Sequence, residues 1–571
     1  MKTNGHVGGR DARANEGDAP RDAQSTDGSR ASSLDLPPEE LNELASAFQR
    51  LALGYLASPS ALPVFPETTA ERLVELFRKP LPVEGVGMAS LERDCAEVFK
   101  FSRQNGHPRM FGYVASPASP VGVFASLLAA ALNTNVTSWR SAPAPTEVER
   151  TVVGWLAELI GYTSEARGDS CGGLLTSGGS MANLNALFVA HRTHARRAAE
   201  FQQAGGGAEF DETGGVESDK TSGAESGGMG AAAGFVVHDP SRAGLWNAGA
   251  PMTVYASDQV HLSIPKAVDI LGLGREQVRV VPSDEAFRMD VRLLRERIEA
   301  DERAGLRPFC IVASAGTVST GAVDPLGDVA KVARERSLWF HVDGAYGALA
   351  ASVESKRPLF EGLAEADSVS LDPHKWLYAP LGAGCLLFRE PGHARAAFAG
   401  TEEGYIKVFE RQEDEAFAFW NYGIELSRPF RALKVWAMLS YYGSRRVVAA
   451  ITEDCALAEV MAERVSTAED FELLAPVALG ICCFRYVSKD ARRELEEADE
   501  DERERINVRL DKLNVRVMNR VQRGGDAYVS NAILRGRFAL RASITNFRTT
   551  RRDLDITLDA VRRAARELEK E

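Results

Sequence analysis

After the Pro37-Pro38 pair, Leu41, Leu44, Phe48 and Leu51 recur at spacings of three and four, which predicts an amphipathic helix over 37–56. The stretches 69–79 and 91–102 follow the same period. From about residue 120 the pattern changes. Short β-rich runs at 172–176, 252–256, 278–281, 309–313, 338–342, 368–371 and 385–388 alternate with helical stretches. Strands separated by helices of roughly 10–15 residues predict βαβ units on a mostly parallel sheet. Beyond about residue 430 helices come first, then strands at 480–486 and 537–543, then a last helix, as in a smaller α+β domain. The expected division is an N-terminal helical segment (37–119), a large α/β domain (120–400), a mobile loop and linker (401–430) and a C-terminal small domain (431–571).

Three segments interrupt this pattern. Residues 1–36 are rich in Gly, Asp, Arg and Ser and predict a disordered tail. Residues 205–234 are mostly Gly, Ala, Ser and Glu and read as a flexible surface insertion. The charge run at 488–505 reads as a solvated helix or loop inserted in the small domain.

The 571 residues are 44% hydrophobic, enough for a sizeable core, which excludes wholesale disorder. A net charge of −13 argues against a nucleic-acid partner, which calls for a basic stripe. The longest nearly apolar run, 121–132, falls short of the roughly 20 residues of a membrane helix, so no membrane partner is expected. With no apolar leader at the N-terminus, and seven cysteines that form no CxxC pair, a reducing cytoplasm is the expected compartment. Cys482 and Cys483 sit in an apolar run and predict a buried strand.

The chemistry concentrates where strands end. The first such place is Thr176-Ser177-Gly178-Gly179-Ser180, a strand entering a Gly-Ser turn before a helix that contains Asn183. Such a turn is either an ordinary capped connection or an anion cradle, in which backbone N–H groups and the helix N-terminus face a phosphate. Neither a Walker lysine nor a GxGxxG fingerprint is present, which weakens the nucleotide-loop readings. The second place is the strand ending His341-Val342-Asp343, whose alternation puts His341 and Asp343 on one face. An acid there serves as a metal ligand, an N-cap or the partner of a cationic heterocycle. No His/Cys/carboxylate cluster accompanies it, so no metal is expected, and His191 and His194, on an Arg-rich helix, read as exposed surface. The third is Asp372-Pro373-His374-Lys375-Trp376, a lysine set in apolar sequence where a surface role would be odd; a desolvated lysine can form a Schiff base. Together the three supply what pyridoxal 5'-phosphate (PLP) requires: a phosphate cradle, an acid for the ring nitrogen and a lysine for the aldehyde. A fourth element, Ser257-Asp258-Gln259-Val260-His261, adds a histidine that could stack on the ring.

These motifs, with His107 to Tyr113, Ser141 to Glu147, Gly316-Thr317 and Leu426 to Trp436, stand in the order found in the group II PLP-dependent amino-acid decarboxylases, which act on aromatic amino acids, glutamate or cysteine sulfinate. The resemblance covers roughly residues 38 to 560. It implies PLP fold type I (aspartate-aminotransferase-like) with a mostly parallel sheet, decarboxylation of a small-molecule L-amino acid to its amine and CO2, and an obligate homodimer burying well above roughly 2,000 Å². It also implies residue roles. Lys375 is the Schiff-base lysine, Asp343 pairs with the pyridinium, Ala345 packs on the ring and His261 stacks on its other face. Gly179, Ser180 and His374 hold the phosphate, with Ser368 nearby, and Thr317 touches the polar edge of the ring. Arg541 meets the substrate carboxylate, Tyr405 returns the proton from a mobile loop, and Tyr113, Ser116, Asn135 and Thr137 line the substrate pocket. Two positions depart from the family. Asp372 stands where the family often has Asn, and is expected to point away from the phosphate or cap a turn. Thr137 stands where the aromatic branch has Phe, so the substrate side chain, aromatic or acidic, stays open. The alternatives are other PLP chemistry, such as aldehyde synthesis or aldehyde-lyase cleavage, a non-catalytic PLP-fold binding protein, and a dinucleotide-binding module.

Overall fold

The structure, a computed structural model, describes residues 34–163, 172–203, 244–245, 250–398 and 415–571. The predicted tail up to residue 33 and the predicted insertion at 205–234 lie outside the described residues, as does most of the first half of the expected mobile loop, Tyr405 included.

The chain opens with α1 (Pro38–Ala57), α2 (Ala70–Phe77) and α3 (Met88–Lys100), followed by the short strand β1 (Met110–Phe111) and the helices α4 (Pro120–Leu132) and α5 (Pro143–Leu159). Proline in the first turn starts α1, α4 and α5, where its missing N–H costs nothing. Thr69 caps α2 by accepting the Arg72 N–H. Next come β2 (Gly172–Thr176), α6 (Gly179–Gln203), β3 (Met252–Ser257), β4 (Val278–Val281), β5 (Arg307–Ser314), β6 (Trp339–Asp343), β7 (Ser368–Leu371) and β8 (Gly384–Phe388). These strands form one seven-stranded sheet in the order β2-β8-β7-β6-β5-β3-β4. The pairs β3–β4, β3–β5, β5–β6 and β6–β7 are parallel, and β8 runs antiparallel to both neighbours. β3 and β6 to β8 are buried along their length, and β5 from Phe309 on, as expected of a sheet covered by helices on both faces.

The C-terminal part carries β9 (Phe471–Leu473), β10 (Ile481–Tyr486), β11 (Tyr528–Leu534) and β12 (Arg537–Ser543). Their sheet, in the order β1-β11-β12-β10-β9, recruits β1 in parallel with β11. The N-terminal segment is therefore built into the small domain through β1. Cys482 and Cys483 are buried in β10. The charge run forms the helix Lys489–Glu497 and the first turn of Glu500–Gly524, with Ala491 and Leu495 packed around Leu510.

The reading of His191 and His194 as surface is overturned. His191 is buried, and both rings lie against Phe309 at centroid distances of 6.1 Å. Burial, with nearby arginines adding to it, lowers both to about 4.

Beneath the Pro373–Trp376 turn lies Asp454, on the long helix Ala432–Thr467. It accepts hydrogen bonds from Tyr378 Oη (2.8 Å), Trp376 Nε1 (3.2 Å) and the Asn546 N–H (3.2 Å). Burial outweighs these donors and raises its carboxyl to about 7. The folded value lies above the unfolded one, so the protonated form stabilises the fold; that contribution is complete below about pH 4 and is lost as pH rises to about 7. The wild type is expected to lose more thermal stability between about pH 5 and 8 than Asp454→Asn. Parallel Tm profiles for the two proteins would remove Asp454 from the pH dependence.

Candidate active site

The parallel strands and β2 all end at one edge of the large sheet, where an open α/β sheet collects its ligand. A cavity of about 990 Å³ opens there, and His261, Thr317, Asp343, Lys375 and Arg541 all line it.

Its floor is the β2–α6 turn. A Cβ on Gly179 would lie 2.7 Å from the Ala345 Cβ and 3.1 Å from Asp372 Oδ2, so glycine lets the turn press against the ends of β6 and β7. The N–H groups of Gly179 and Ser180 belong to the first turn of α6, where no acceptor lies four residues back within the helix. His374 donates from Nδ1 to the Ala383 carbonyl at 2.7 Å, and burial lowers its pKa against the pull of Asp372.

Lys375 follows β7 on the short turn Pro373–Trp376, which is held by the stacking of Tyr346 on Trp376 at 4.7 Å. The expectation for Asp372 is overturned. Its side chain makes no cap; Oδ2 sits 2.9 Å from Lys375 Nζ, and Oδ1 is buried with no hydrogen-bond partner among the described residues. A carboxylate this deeply buried turns to the ammonium three residues on, since an unpaired buried charge is the costlier arrangement. Paired with Lys375 and close to Gly179, Asp372 opposes an incoming phosphate. Asp372→Asn is expected to bind PLP about tenfold more tightly, on the order of 1.4 kcal/mol for one charge removed from a partly screened pocket. Unchanged or faster PLP release by the variant would refute this.

Asp343 is buried at the end of β6. Oδ2 accepts from Asn183 Nδ2 at 2.9 Å, and Oδ1 accepts from Ser370 Oγ and the Ala345 N–H, both at 3.2 Å. A carboxylate has about four acceptor positions, so three protein donors leave one for a ring nitrogen in the cavity. With the Gly179 cradle and Lys375, this donor and acceptor set fits PLP.

Arg541, on β12, is almost fully buried. Nε donates to the Ser319 carbonyl (3.1 Å), and Nη1 to the Tyr113 carbonyl (2.7 Å) and Ser530 Oγ (3.3 Å). Nη2 has no hydrogen-bond partner among the described residues. Ser116 donates to the His374 carbonyl at 2.8 Å, and Tyr113 and Ser116 both line the cavity. Thr317, buried beside Thr320, does so too.

Three assigned residues lie elsewhere. Ser368 is the first residue of β7, about 10 Å of strand away from the edge where the cradle sits; its Oγ accepts from Trp339 Nε1 and contacts His341 Nδ1, both at 2.9 Å. Asn135 is exposed and its Oδ1 accepts the Arg428 N–H at 2.8 Å, while the Thr137 carbonyl accepts the Phe419 N–H at 2.9 Å. Neither lines the cavity of this chain. Two further residues, to which the sequence reading gives no role, belong to the site. Asn183 and Ser263 are both buried and hydrogen-bonded to each other at 2.9 Å. The signal for Asn183 was an amide on an otherwise apolar face of α6.

The family model of the pyridoxal-dependent decarboxylase conserved domain matches residues 71–210 and 247–487. Among similar proteins is an aromatic-L-amino-acid decarboxylase from Bacillus atrophaeus, 30% identical over 91% of this chain and 94% of that protein. A phenylacetaldehyde synthase from Petunia hybrida is 26% identical over 90% and 92%. The crystal structure of Oryza sativa TDC with PLP and tryptamine superposes with a TM-score of 0.78 at 25% identity, covering 94% of this chain and 100% of that one. The sheet order, the cradle and the lysine turn thus coincide with a family assignment that spans most of the chain: this protein belongs to the pyridoxal-dependent decarboxylases, and is a PLP-dependent carboxy-lyase of fold type I that acts on an amino acid.

Proposed function

We propose that Lys375 holds the cofactor aldehyde covalently, that Asp343 fills its last acceptor position with the ring N–H, and that Gly179, Ser180 and His374 surround the phosphate. Ala345 and His261 would pack on the two faces of the ring. The cofactor supplies an electron sink for the bond that breaks at Cα. The chain's own residues orient that bond and handle the proton that replaces CO2. Arg541 receives the substrate carboxylate, and Tyr405 is assigned the return of the proton to Cα.

The observation that carries this reading is Arg541: a buried guanidinium with a free Nη2, in the same cavity as Lys375, Asp343 and His261. A buried cation needs an anion, and guanidinium suits a carboxylate. Arg541→Gln is expected to raise KM about 10- to 100-fold, the loss of one charge-assisted hydrogen bond of roughly 1.5–3 kcal/mol. An unchanged KM would move the carboxylate elsewhere. The function itself is tested by incubating the full chain and PLP with each common L-amino acid and measuring amine, CO2, aldehyde and hydrogen peroxide. Amine with CO2 supports decarboxylation; aldehyde with peroxide selects the aldehyde-forming reading, which the likeness to a phenylacetaldehyde synthase keeps in view.

We also propose a cytoplasmic homodimer. Phe124, Leu127, Leu128 and Leu132 of α4 are exposed, as are Leu41, Phe48 and Leu53 of α1, an apolar surface that a second copy would cover. Among the described residues Cys95, Cys310, Cys455, Cys482 and Cys483 form no disulfide, which suits a reducing compartment. Among the described residues no helix is long and apolar enough to cross a membrane. Sedimentation at micromolar protein distinguishes dimer from monomer.

A further inference from the structure

We infer that His261 in its neutral form carries its proton on Nε2, on the cavity side, and that the Asp343 carboxylate imposes this tautomer through Asn183 and Ser263; the inference rests on the decarboxylase reading of the same site.

One group here has no choice of role. An ionised carboxylate only accepts, so the Asn183 atom 2.9 Å from Asp343 Oδ2 is the NH2 nitrogen. That fixes the amide. Its Oδ1 then faces His341 Nε2 at 3.0 Å and must receive a proton from it. His341 Nδ1 lies 2.9 Å from the Ser368 hydroxyl and 3.2 Å from the Ser368 carbonyl. Ser368 Oγ in turn accepts from Trp339 Nε1, an indole that can only donate. Burial lowers His341 to about 4.

The second N–H of Asn183 points to Ser263 Oγ at 2.9 Å. Ser263 accepts there, so its own hydroxyl proton is free for His261 Nδ1 at 2.8 Å. The Ser263 backbone N–H approaches the same nitrogen at 3.2 Å. With two donors on Nδ1, the ring proton belongs on Nε2; the other tautomer would set Nδ1–H against the Ser263 N–H. His261, which lines the cavity, therefore meets the substrate as a hydrogen-bond donor, suited to a carboxylate or to a carbon gaining a proton. Asn183 and Ser263 are positioning residues: one amide joins the acid beneath the ring nitrogen to the histidine over the ring.

The test uses full-length holoenzyme with 15N-labelled histidine, the His261 ring-nitrogen signals being those absent from His261→Gln. An unprotonated Nδ1 and a protonated Nε2 are expected, and a proton on Nδ1 overturns the inference. Ser263→Ala is expected to move both signals toward the averaged positions of an imidazole that exchanges tautomers. It should also lower kcat about 10-fold, in the range of other partners that orient a working imidazole. Ser263→Thr, which keeps the hydroxyl, should restore both. Signals unmoved in Ser263→Ala overturn the role of the chain. Release of amine and CO2 is scored separately: normal release with the proton on Nδ1 overturns the tautomer and leaves decarboxylation standing, whereas the expected signals without release overturn the decarboxylase reading and leave the tautomer standing.

Discussion

Replacing Lys375 by alanine is expected to abolish turnover and, with it, the visible absorption of the bound cofactor. Without the amine there is no covalent attachment and no group to displace the product. Loss of a covalent catalytic group in a well-studied enzyme costs on the order of 10⁶ in kcat, and a loss of that size is expected here. The structure adds a second effect. Lys375 is the ammonium 2.9 Å from the buried Asp372, so alanine leaves that carboxylate without its counter-charge in the cavity that must take up a phosphate. Lys375→Ala should therefore bind PLP poorly as well as fail to turn over. Lys375→Ala/Asp372→Asn should regain much of the PLP binding and none of the activity. Borohydride reduction of the wild type followed by peptide mapping should find the pyridoxyl group on Lys375. Full activity with the label on another lysine would sink the assignment.

The parts of the site legible in the sequence were those at strand ends. Asp343 closes a fully buried strand and Lys375 follows another, and a charged side chain in that position has few reasons to exist except the ligand beyond it. What stayed hidden depends on contacts between elements far apart in the chain. Asn183 meets Asp343 across 160 positions, and an amide on an otherwise apolar face of α6 does not by itself tell what it meets. Ser368 was placed near the phosphate by the family resemblance alone; it opens β7, and a strand carries its two ends to opposite edges of the sheet. His191 was misread because its arginine-rich surroundings suggested solvent. The Arg192 guanidinium in fact lies over the Phe188 ring at 5.1 Å, so the helix buries aromatic surface beneath its charges. The N-terminal segment was taken as helical throughout because β1 is two residues long; its place beside β11 is set by Met110 and Phe111 packing in the small domain, which local pattern cannot report.

Asp343→Asn is expected to lower kcat by about 10²- to 10³-fold, the cost of one well-placed electrostatic group, about 2.7–4 kcal/mol. The side chain barely changes in size, so the fold should survive and the loss can be read as chemistry. The carboxylate at 343 has donors on both oxygens: Asn183 Nδ2 on Oδ2, and Ser370 Oγ with the Ala345 N–H on Oδ1. An amide has one oxygen. With its NH2 at the Oδ2 position it opposes Asn183; with its NH2 at the Oδ1 position it opposes the Ala345 N–H. In either orientation the negative charge that holds a proton on the ring nitrogen is gone, and the electron sink weakens. The first orientation also presses Asn183 to turn its oxygen toward residue 343, which sets its NH2 against His341 and releases Ser263 from its acceptor role. A single exchange of oxygen for NH2 at 343 is thus expected to reach both the ring nitrogen and, through Asn183 and Ser263, His261. Asp343→Glu, which keeps the charge but displaces it, separates the two effects: it should retain more PLP affinity than Asp343→Asn. Near-wild-type kcat in Asp343→Asn, with PLP bound and the fold intact by circular dichroism, would show that the ring nitrogen does not depend on this acid.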